Sequence, residues 1–283
     1  MSETDYAHCE TLVRDEDPDR YFATLFAPAE KRRHLFALYA YSLEIAKIRD
    51  VVSQSLAGEI RLQWWRDALE GAARGDALAN PVAAALDDTI TRFNLPRRAL
   101  LDLIDARVHD LYDDPIATMN DLEGYCGETA SAIIRLATLI LADGEDPGSA
   151  EAAGHAGVAY AMTGLLRAFP WHVRRGQLYV PPIEVLERHG MQRSDVVTGR
   201  GGTGLQQALA EMRAHVRRHL EKSEQLIPAC DKLSAPAFLP LTLTPLYLRE
   251  MERVDYDPFT SIIDAPRWRK LWALWWRARR GWG

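Results

Sequence analysis

The sequence has few cysteines, no basic excess and no long apolar run, and each shortage argues against a class of protein. Its three cysteines, Cys9, Cys126 and Cys230, lie far apart without CxxC spacing, so neither a disulfide framework nor a zinc site is indicated, and a reducing compartment is expected. Acidic residues outnumber basic ones by 40 to 34. Nucleic acid is therefore not an expected partner, because phosphate contacts need a basic excess.

Membrane insertion and export are also not expected. The longest uncharged apolar stretch, about residues 155–166, is well short of the roughly 20 residues that cross a bilayer. The first 20 residues are acidic, unlike a secretory signal or a transit peptide. We therefore expect a cytoplasmic protein, with any membrane contact peripheral and at the inner face.

Helical periodicity dominates what is present. Hydrophobic residues make up 47% of the chain, enough for a sizeable core. Prolines stand near the start of several apolar-periodic segments, where a missing N–H costs nothing. The pattern predicts helices near residues 28–50, 55–74, 81–93, 96–112, 118–142, 147–168, 203–228, 236–253 and 266–280. With no sustained strand alternation, repeat or composition shift, we predict one all-α domain over residues 1–283.

The last predicted helix, at about 266–280, is rich in tryptophan and arginine. Trp268, Leu271, Trp272 and Trp275 follow i, i+3, i+4, i+7 spacing among six basic residues and no acidic one. A basic amphipathic helix with tryptophans suits an anionic membrane surface, which Trp268, Trp272, Trp275 and Arg277 would contact. The same stripe could instead close the helical core.

The most informative segment follows the helix predicted to end near residue 168. There Arg174, Arg175 and Gly176 form an Arg-Arg-Gly turn, followed by Tyr179 and Pro181. This arrangement resembles the squalene/phytoene synthase family, in which a helix carrying a DxxxD pair leads into such a turn. The helix from His34 through Tyr41 to Asp50, the Leu62-Gln-Trp-Trp-Arg66 segment and the Asp121-Leu-Glu-Gly-Tyr125 segment also resemble the family, so the likeness spans roughly residues 20–275.

The resemblance implies an isoprenoid-synthase-like helical bundle around a central cavity. It also implies head-to-head joining of two prenyl diphosphates, with Mg²⁺ held by carboxylates one helical turn apart. The sequence departs from the family at those carboxylates. The expected aspartates fall on Ala46, Lys47 and Asp50 in the first helix and on Ala168 and His172 in the second, so one of five carboxylates remains.

Without that carboxylate set we expect no metal site and no cofactor, and we name no catalytic residue. The basic residues could instead bind an anion directly. The residues predicted to line this ligand site are Tyr41, Lys47, Arg49, Asp50, Arg167, His172, Arg174, Arg175 and Tyr179. His172 could equally be a packed or capping residue, and Lys47 and Arg49 could be ordinary surface charges. The i, i+4 series Asp105, His109 and Asp113 favours a solvated face over a metal site.

A narrower resemblance involves a branch of the family without the aspartates, the branch that contains mitochondrial NADH dehydrogenase complex I assembly factor 6. It rests on the segments at residues 165–172, 90–96, 125–131 and 253–258. It implies a non-catalytic role in assembling respiratory complex I, with complex I subunits as partners and a prenyl or lipid ligand in the cavity. Two alternatives stay open. One is an active prenyl transferase in which Lys47, Arg174 and Arg175 replace Mg²⁺ at the diphosphates; the other is a lipid-binding module without an assembly role.

Overall fold

The chain folds into helices joined by loops. A computed structural model describes residues 2–71 and 77–282, and this part of the chain contains no strand. The all-α prediction is therefore confirmed. The end of the helix predicted at 55–74 reaches into 72–76, outside the described residues.

Eight helices form the first half of the fold: α1 Glu3–Glu16, α2 Pro18–Thr24, α3 Ala29–Val51, α4 Ser55–Glu70, α5 Pro81–Phe93, α6 Arg97–Arg107, α7 Met119–Cys126 and α8 Ala132–Leu141. Eight more follow: α9 Ala150–Arg167, α10 Phe169–Arg174, α11 Ile183–Arg188, α12 Arg193–Val197, α13 Thr203–Leu226, α14 Ala235–Phe238, α15 Thr244–Glu250 and α16 Arg267–Arg280. A π-helical turn, Gly127–Ser131, joins α7 to α8, and 3-10 turns lie at Val108–Leu111 and Leu239–Leu243.

Local chemistry explains where many of these helices begin and end. In α5 the side chain of Asn80 accepts hydrogen bonds from the N–H groups of Val82 and Ala83 at 2.9 and 3.0 Å, and Pro81 occupies the first helical position. Asn94 ends the same helix with a left-handed φ of 47°. Asparagine tolerates that conformation better than most residues, so the sequence defines both ends of the helix.

Two hydrophobic cores hold the helices together. One surrounds α3 and includes α1, α5, α6 and α8, and the other surrounds α9 and α13. Helix α9 approaches the π-turn closely at Gly157, where a Cβ atom would lie 2.2 Å from the backbone nitrogen of Ser131. A residue with a side chain would not fit there, so this glycine sets the distance between α9 and the α7–α8 segment.

Helix α16 packs through a narrow face. Lys270 and Leu274 are buried, whereas Trp268, Trp272 and Trp275 are 70%, 59% and 38% exposed. The tryptophan stripe therefore does not close the core. Each helix within residues 2–71 and 77–282 is too short or too polar to span a bilayer.

Candidate functional site

The Arg-Arg-Gly turn folds back on the end of α10. Gly176 has a left-handed φ of 73°, which favours glycine, and the backbone N–H groups of Arg175 and Gln177 donate to the carbonyl of His172. This turn brings the ring of Tyr179 to 4.7 Å from the ring of His172. Two residues predicted to line the ligand site are thus in contact.

An outer group of charged residues, Arg49, Asp50, Asp113, Arg175 and Arg193, surrounds this turn. Arg175 forms an ion pair with Asp50 at the end of α3, and its guanidinium lies 4.6 Å from the centre of the Trp171 ring. Arg49 pairs with Asp113 at 3.3 Å. Arg193 donates to the backbone carbonyls of Asp113 and Gly176, both at 2.9 Å. The outer group therefore joins α3, the turn, the loop at residue 113 and α12.

An inner cluster lies beside it and consists of Arg107, Asp110, Tyr125, His172 and Tyr179. Arg107 donates to Asp110 at 2.8 Å and to the hydroxyl of Tyr125 at 2.7 Å, and that hydroxyl donates to Asp110 at 2.9 Å. The rings of Tyr125 and Tyr179 lie 5.9 Å apart. These contacts make a connected polar network that runs inward from the turn.

Burial controls protonation in the inner cluster. It lowers the pKa of His172 to about 4, so this imidazole is neutral near pH 7. It also raises the pKa of Tyr125 and of Tyr179 well above the usual tyrosine value, and the charge of Asp110 adds to both shifts. Burial lowers the pKa of Arg107, but Tyr125 and Asp110 raise it by more. The cluster thus keeps a charged arginine beside two neutral tyrosines and a neutral histidine.

Several buried polar atoms in this region have no hydrogen-bond partner. Within residues 2–71 and 77–282 there are six such side-chain atoms, and four belong to the two groups: Nε of Arg49, Nε of Arg107, Nδ1 of His172 and Nε of Arg193. Unsatisfied buried polar groups are rare in proteins because each costs about 1–3 kcal/mol. Their concentration around one turn is typical of a place that accepts a polar ligand or ordered water.

A cavity of about 200 Å³ adjoins the inner cluster, between α3, α9 and the α7–α8 segment. Small or apolar residues form much of its wall, among them Leu43, Ala46, Ala130, Ala161, Gly164 and Leu165. Arg20 and Arg107 also line it, with Tyr125 and Tyr160. The guanidinium of Arg20 lies 5.0 Å from the centre of the Tyr160 ring, a distance at which the ring stabilises the charge. The cavity wall is thus largely apolar and also contains the side chains of two arginines.

Three residues predicted to line the ligand site lie elsewhere. Tyr41 is fully buried in the core around α3, where its hydroxyl donates to the carbonyl of Leu100 at 2.7 Å. Lys47 forms an ion pair with Glu16 of α1. Arg167 donates to the carbonyl of Ile263 at 3.1 Å and stacks 3.8 Å from the centre of the Tyr247 ring, within a separate cluster below α16.

The remaining predicted residues stay near the turn. Arg174 is exposed at the end of α10, and Ala168 lies where α9 gives way to α10. Ala46 lines the cavity, and His172 and Asp50 belong to the two groups described above. These positions do not supply the paired carboxylates that Mg²⁺ requires, because the only one that carries a carboxylate, Asp50, is paired with Arg175.

Arg20, Arg107 and Arg193 were not among the residues predicted from the sequence. Arg107 lies within the Asp105, His109 and Asp113 series, which was predicted to form a solvated face. In the structure Asp105 pairs with Arg66 and Asp113 with Arg49. The signal for Arg107 and Asp110 was their i, i+3 spacing, but only the fold shows that both face inward.

An all-α bundle with a cavity beside an Arg-Arg-Gly turn defines an isoprenoid-synthase-like protein. Residues 13–276 match the family model for squalene/phytoene synthase, and the chain belongs to that family. It is 31% identical over 254 residues to "NADH dehydrogenase (ubiquinone) complex I, assembly factor 6" of Rattus norvegicus, covering 90% of this chain and 76% of that protein. It is 27% identical over 277 residues to "Phytoene synthase 3, chloroplastic" of Zea mays, covering 95% and 64%.

Solved structures agree with the fold. A dehydrosqualene synthase in complex with a ligand superposes with a TM-score of 0.82 at 20% identity, covering 98% of this chain and 96% of that one. Squalene synthase HpnC from Alicyclobacillus acidocaldarius superposes with a TM-score of 0.75 at 24% identity, covering 90% and 96%. The predicted family and bundle architecture are therefore confirmed.

Proposed function

We propose that this chain is a non-catalytic member of its family that assists the assembly of respiratory complex I. The observation that carries the proposal is the loss of carboxylates: four of the five family positions hold Ala46, Lys47, Ala168 and His172. The identity of 31% to the rat complex I assembly factor 6, over 90% of this chain, supports the assembly role and complex I subunits as partners.

Loss of the carboxylates bears directly on the family reaction. Departure of a diphosphate leaves a concentrated negative charge, and a metal ion lowers that barrier by several kcal/mol. The cavity of about 200 Å³ also lies below the roughly 300–1,000 Å³ of ordinary small-molecule sites, so two prenyl diphosphates would need considerable expansion. Both features support binding without the condensation reaction, and no metal cofactor is required.

The retained ligand would be one prenyl or other lipid molecule with an anionic head group. Its apolar part would enter between α3 and α9, beside Ala46 and Leu165. Its head group would meet the unpartnered nitrogens of Arg49 and Arg193, and neutral His172 could donate or accept a hydrogen bond. Charge complementarity of this kind needs no metal ion.

Attachment to the inner face of an anionic membrane would place the protein near its client. The outward face of α16 carries Trp268, Trp272 and Trp275, and Arg279 and Arg280 lie 5.0 and 4.0 Å from the ring centres of Trp275 and Trp276. Tryptophan with arginine is the composition of interfacial helices. This arrangement supports peripheral attachment of a cytoplasmic protein.

A transferase with a rebuilt diphosphate site is the alternative, because the unpartnered arginine nitrogens would also suit a diphosphate. Purified full chain is incubated with labelled farnesyl or geranylgeranyl diphosphate, in Mg²⁺ or in chelator. We expect no condensed product in either. Product that is lost in Arg175→Ala but kept in Arg98→Ala, which removes an exposed i, i+4 pair with Asp102, would overturn the proposal.

The assembly role needs a separate measurement. The gene for this chain is deleted in its own cells, and the amount of assembled complex I is quantified on native gels. We expect less assembled complex I in the deletion, and we expect a plasmid copy of the wild-type gene to restore it. A chain that carries Arg49→Ala, Arg175→Ala and Arg193→Ala is tested in the same cells. If this variant also restores complex I, assembly does not depend on ligand binding. An unchanged amount of complex I in the deletion would contradict the assembly role.

A further inference from the structure

Four ionisable side chains meet on the side of the bundle where α7, α9 and α13 pack together. His215 and His219 lie one helical turn apart on α13, so both project from the same face. Nε2 of His215 lies 2.6 Å from Oε1 of Glu123 on α7, and Nε2 of His219 lies 3.5 Å from the same oxygen. His155 on α9 faces His219 with their Nδ1 atoms 3.0 Å apart. None of these residues lines the cavity.

The three ligand-type atoms are arranged closely enough to share one ion. In the described part of the chain Glu123, His215 and His219 are the one group of three such residues whose donor atoms all lie within 4.8 Å of one another. A tetrahedral Zn²⁺ ion with bonds of about 2.0 Å holds its ligand atoms about 3.3 Å apart. The distances from Oε1 of Glu123 to Nε2 of His215 and of His219, 2.6 and 3.5 Å, lie on either side of this value.

The donor set also matches the chemistry of a transition metal. Two imidazoles and one carboxylate form a His₂Glu set, which is used by zinc sites that keep a fourth position for water. The two histidine side chains are 12% and 13% exposed, and that of Glu123 is 38% exposed. The histidines are thus held in place while the carboxylate side stays open to solvent and to an entering ion.

A hydrogen bond on the far side of its ring orients His219. When Nδ1 of His219 donates to Nδ1 of His155, the lone pair of Nε2 points toward the carboxylate of Glu123. Two electron-rich atoms then face each other across 3.5 Å, and a cation between them removes the repulsion.

His215 is held differently. The exposed guanidinium of Arg218 donates to Nδ1 of His215 at 2.6 Å, which leaves the proton on Nε2, where it is donated to Glu123. Ligation through Nε2 requires that proton to move to Nδ1, so Arg218 must turn away. Arg218 is therefore a competitor of the ion, both through this hydrogen bond and through its charge.

We propose that Glu123, His215 and His219 bind a divalent transition-metal ion of the Zn²⁺ type, with His155 orienting the ring of His219. The ion links α7 to α13 and, through His155, to α9. It lies outside the family's aspartate positions, which fall on α3 and at the end of α9 and in α10. Its role is separate from complex I assembly and from the proposed lipid ligand.

The test uses the full chain, freed of metal with a chelator and titrated with Zn²⁺ by calorimetry and with Co²⁺ by visible absorption. We expect one ion per chain and a rise in the unfolding midpoint on Zn²⁺ addition. His215→Ala and His219→Ala should each weaken Zn²⁺ binding by more than about 100-fold, and His155→Ala by about 10- to 100-fold. Glu123→Gln should also weaken Zn²⁺ binding. Because this change keeps the shape of the side chain, weaker binding in it reports loss of a ligand and not loss of folding.

His189→Ala provides a matched control, because Nε2 of His189 also contacts a glutamate, Glu211 at 2.8 Å, and no third ligand among the described residues joins this pair. Its Zn²⁺ affinity should equal that of the wild type. Arg218→Ala should bind Zn²⁺ more tightly, a result that a purely structural His–Glu network would not give. The absence of stoichiometric Zn²⁺ binding, wild-type affinity in the His215→Ala or His219→Ala variant, or weaker binding in Arg218→Ala would each overturn the proposal.

Discussion

Asp19 and Lys270 lie 251 positions apart in the sequence and form a buried salt bridge of 2.9 Å, with their side chains 8% and 7% exposed. Lys270 also contacts Asp264 at 2.6 Å, and the hydroxyl of Tyr247 donates to Asp19. Burial raises the pKa of Asp264, but the hydrogen bond from Lys270 and the nearby charges lower it by more. This cluster fixes α16 to α2 and α15.

Removing the lysine should leave a buried carboxylate short of a partner. Lys270→Met is expected to lower the free energy of unfolding by about 3 kcal/mol, the lower end for a broken buried pair, since Tyr247 and Arg167 still contact Asp19. Urea unfolding measures the change. Arg269→Met is the control, because its ion pair with Glu250 is more exposed and should contribute less than about 1 kcal/mol. Equal losses in the two variants would contradict this account.

Two glycines of α9 should respond in opposite ways to alanine. Gly157→Ala places a methyl group 2.2 Å from Ser131 and is expected to destabilise by about 1–3 kcal/mol. Gly154→Ala meets no atom within 4 Å and should stabilise by about 0.5–1 kcal/mol through helix propensity. Thermal unfolding of both variants is the measurement. Similar melting temperatures for the two would show that α9 can shift away from the π-turn.

Stability should fall in mild acid because of a buried histidine. Burial lowers the pKa of His34 to about 4, from 6.5 in an unfolded chain. Between these two pH values the unfolded chain binds a proton at this histidine that the folded chain does not bind. The contribution of neutral His34 to the free energy of unfolding is therefore complete above pH 6.5 and is lost as the pH falls toward 4. The loss is roughly 3 kcal/mol at most.

His34→Gln tests this origin. The ring of His34 contacts the hydroxyls of Tyr6 and Thr89 at 3.0 and 2.9 Å, and glutamine can keep a hydrogen bond to them. We expect the variant to be less stable at pH 7 but to lose less stability between pH 6.5 and 4 in urea titrations. An unchanged pH dependence would assign the acid sensitivity to other groups. Burial also lowers the pKa of His172 to about 4, so a His172→Gln variant would be measured next.

Binding to anionic vesicles should depend on the exposed face of α16. Replacing Trp272 and Trp275 together by alanine is expected to reduce cosedimentation with phosphatidylserine vesicles by at least about tenfold, since two large apolar surfaces are lost. Trp171→Ala is the control, because Trp171 is comparably exposed at 54% but lies outside this helix. Equal losses from the control would point to general hydrophobicity, and undiminished binding by the double variant would exclude α16 as the contact.

Helices with clear boundaries in sequence were predicted well. Helix α5 was predicted at 81–93 and observed there, and α16 was predicted at 266–280 and observed at Arg267–Arg280. Helix α1 was missed because most of its residues are acidic or polar: only Tyr6, Cys9 and Val13 are buried, and this short i, i+3, i+7 stripe is a weak helical signal. The predicted 118–142 helix contains the π-turn at Gly127–Ser131, which arises where α9 packs against it.

The sequence anticipates only part of the geometry around the Arg-Arg-Gly turn. Asp50 and Arg175 could be matched to the family motif, and the structure pairs them. Arg193 could not be found this way, because its contact with Gly176 depends on how the chain returns after residue 181. Arg167 directly precedes the matched segment, yet its side chain turns toward Tyr247. Sequence spacing locates a motif, whereas side-chain direction at a helix end depends on the neighbouring helices.

The Asp19–Lys270 salt bridge also determines when folding can finish. During synthesis the core around α3, apart from Ala237, can form from residues up to about 141, while Asp19 still lacks its lysine. Until residue 270 has left the ribosome, the surface that residues 267–282 will cover, including Tyr247 and Phe238, stays accessible to water and chaperones. Asp19 therefore stays without its lysine until the C-terminal helix has been made. A ribosome stalled before residue 270 would carry a nascent chain whose uncovered surface proteases can cleave.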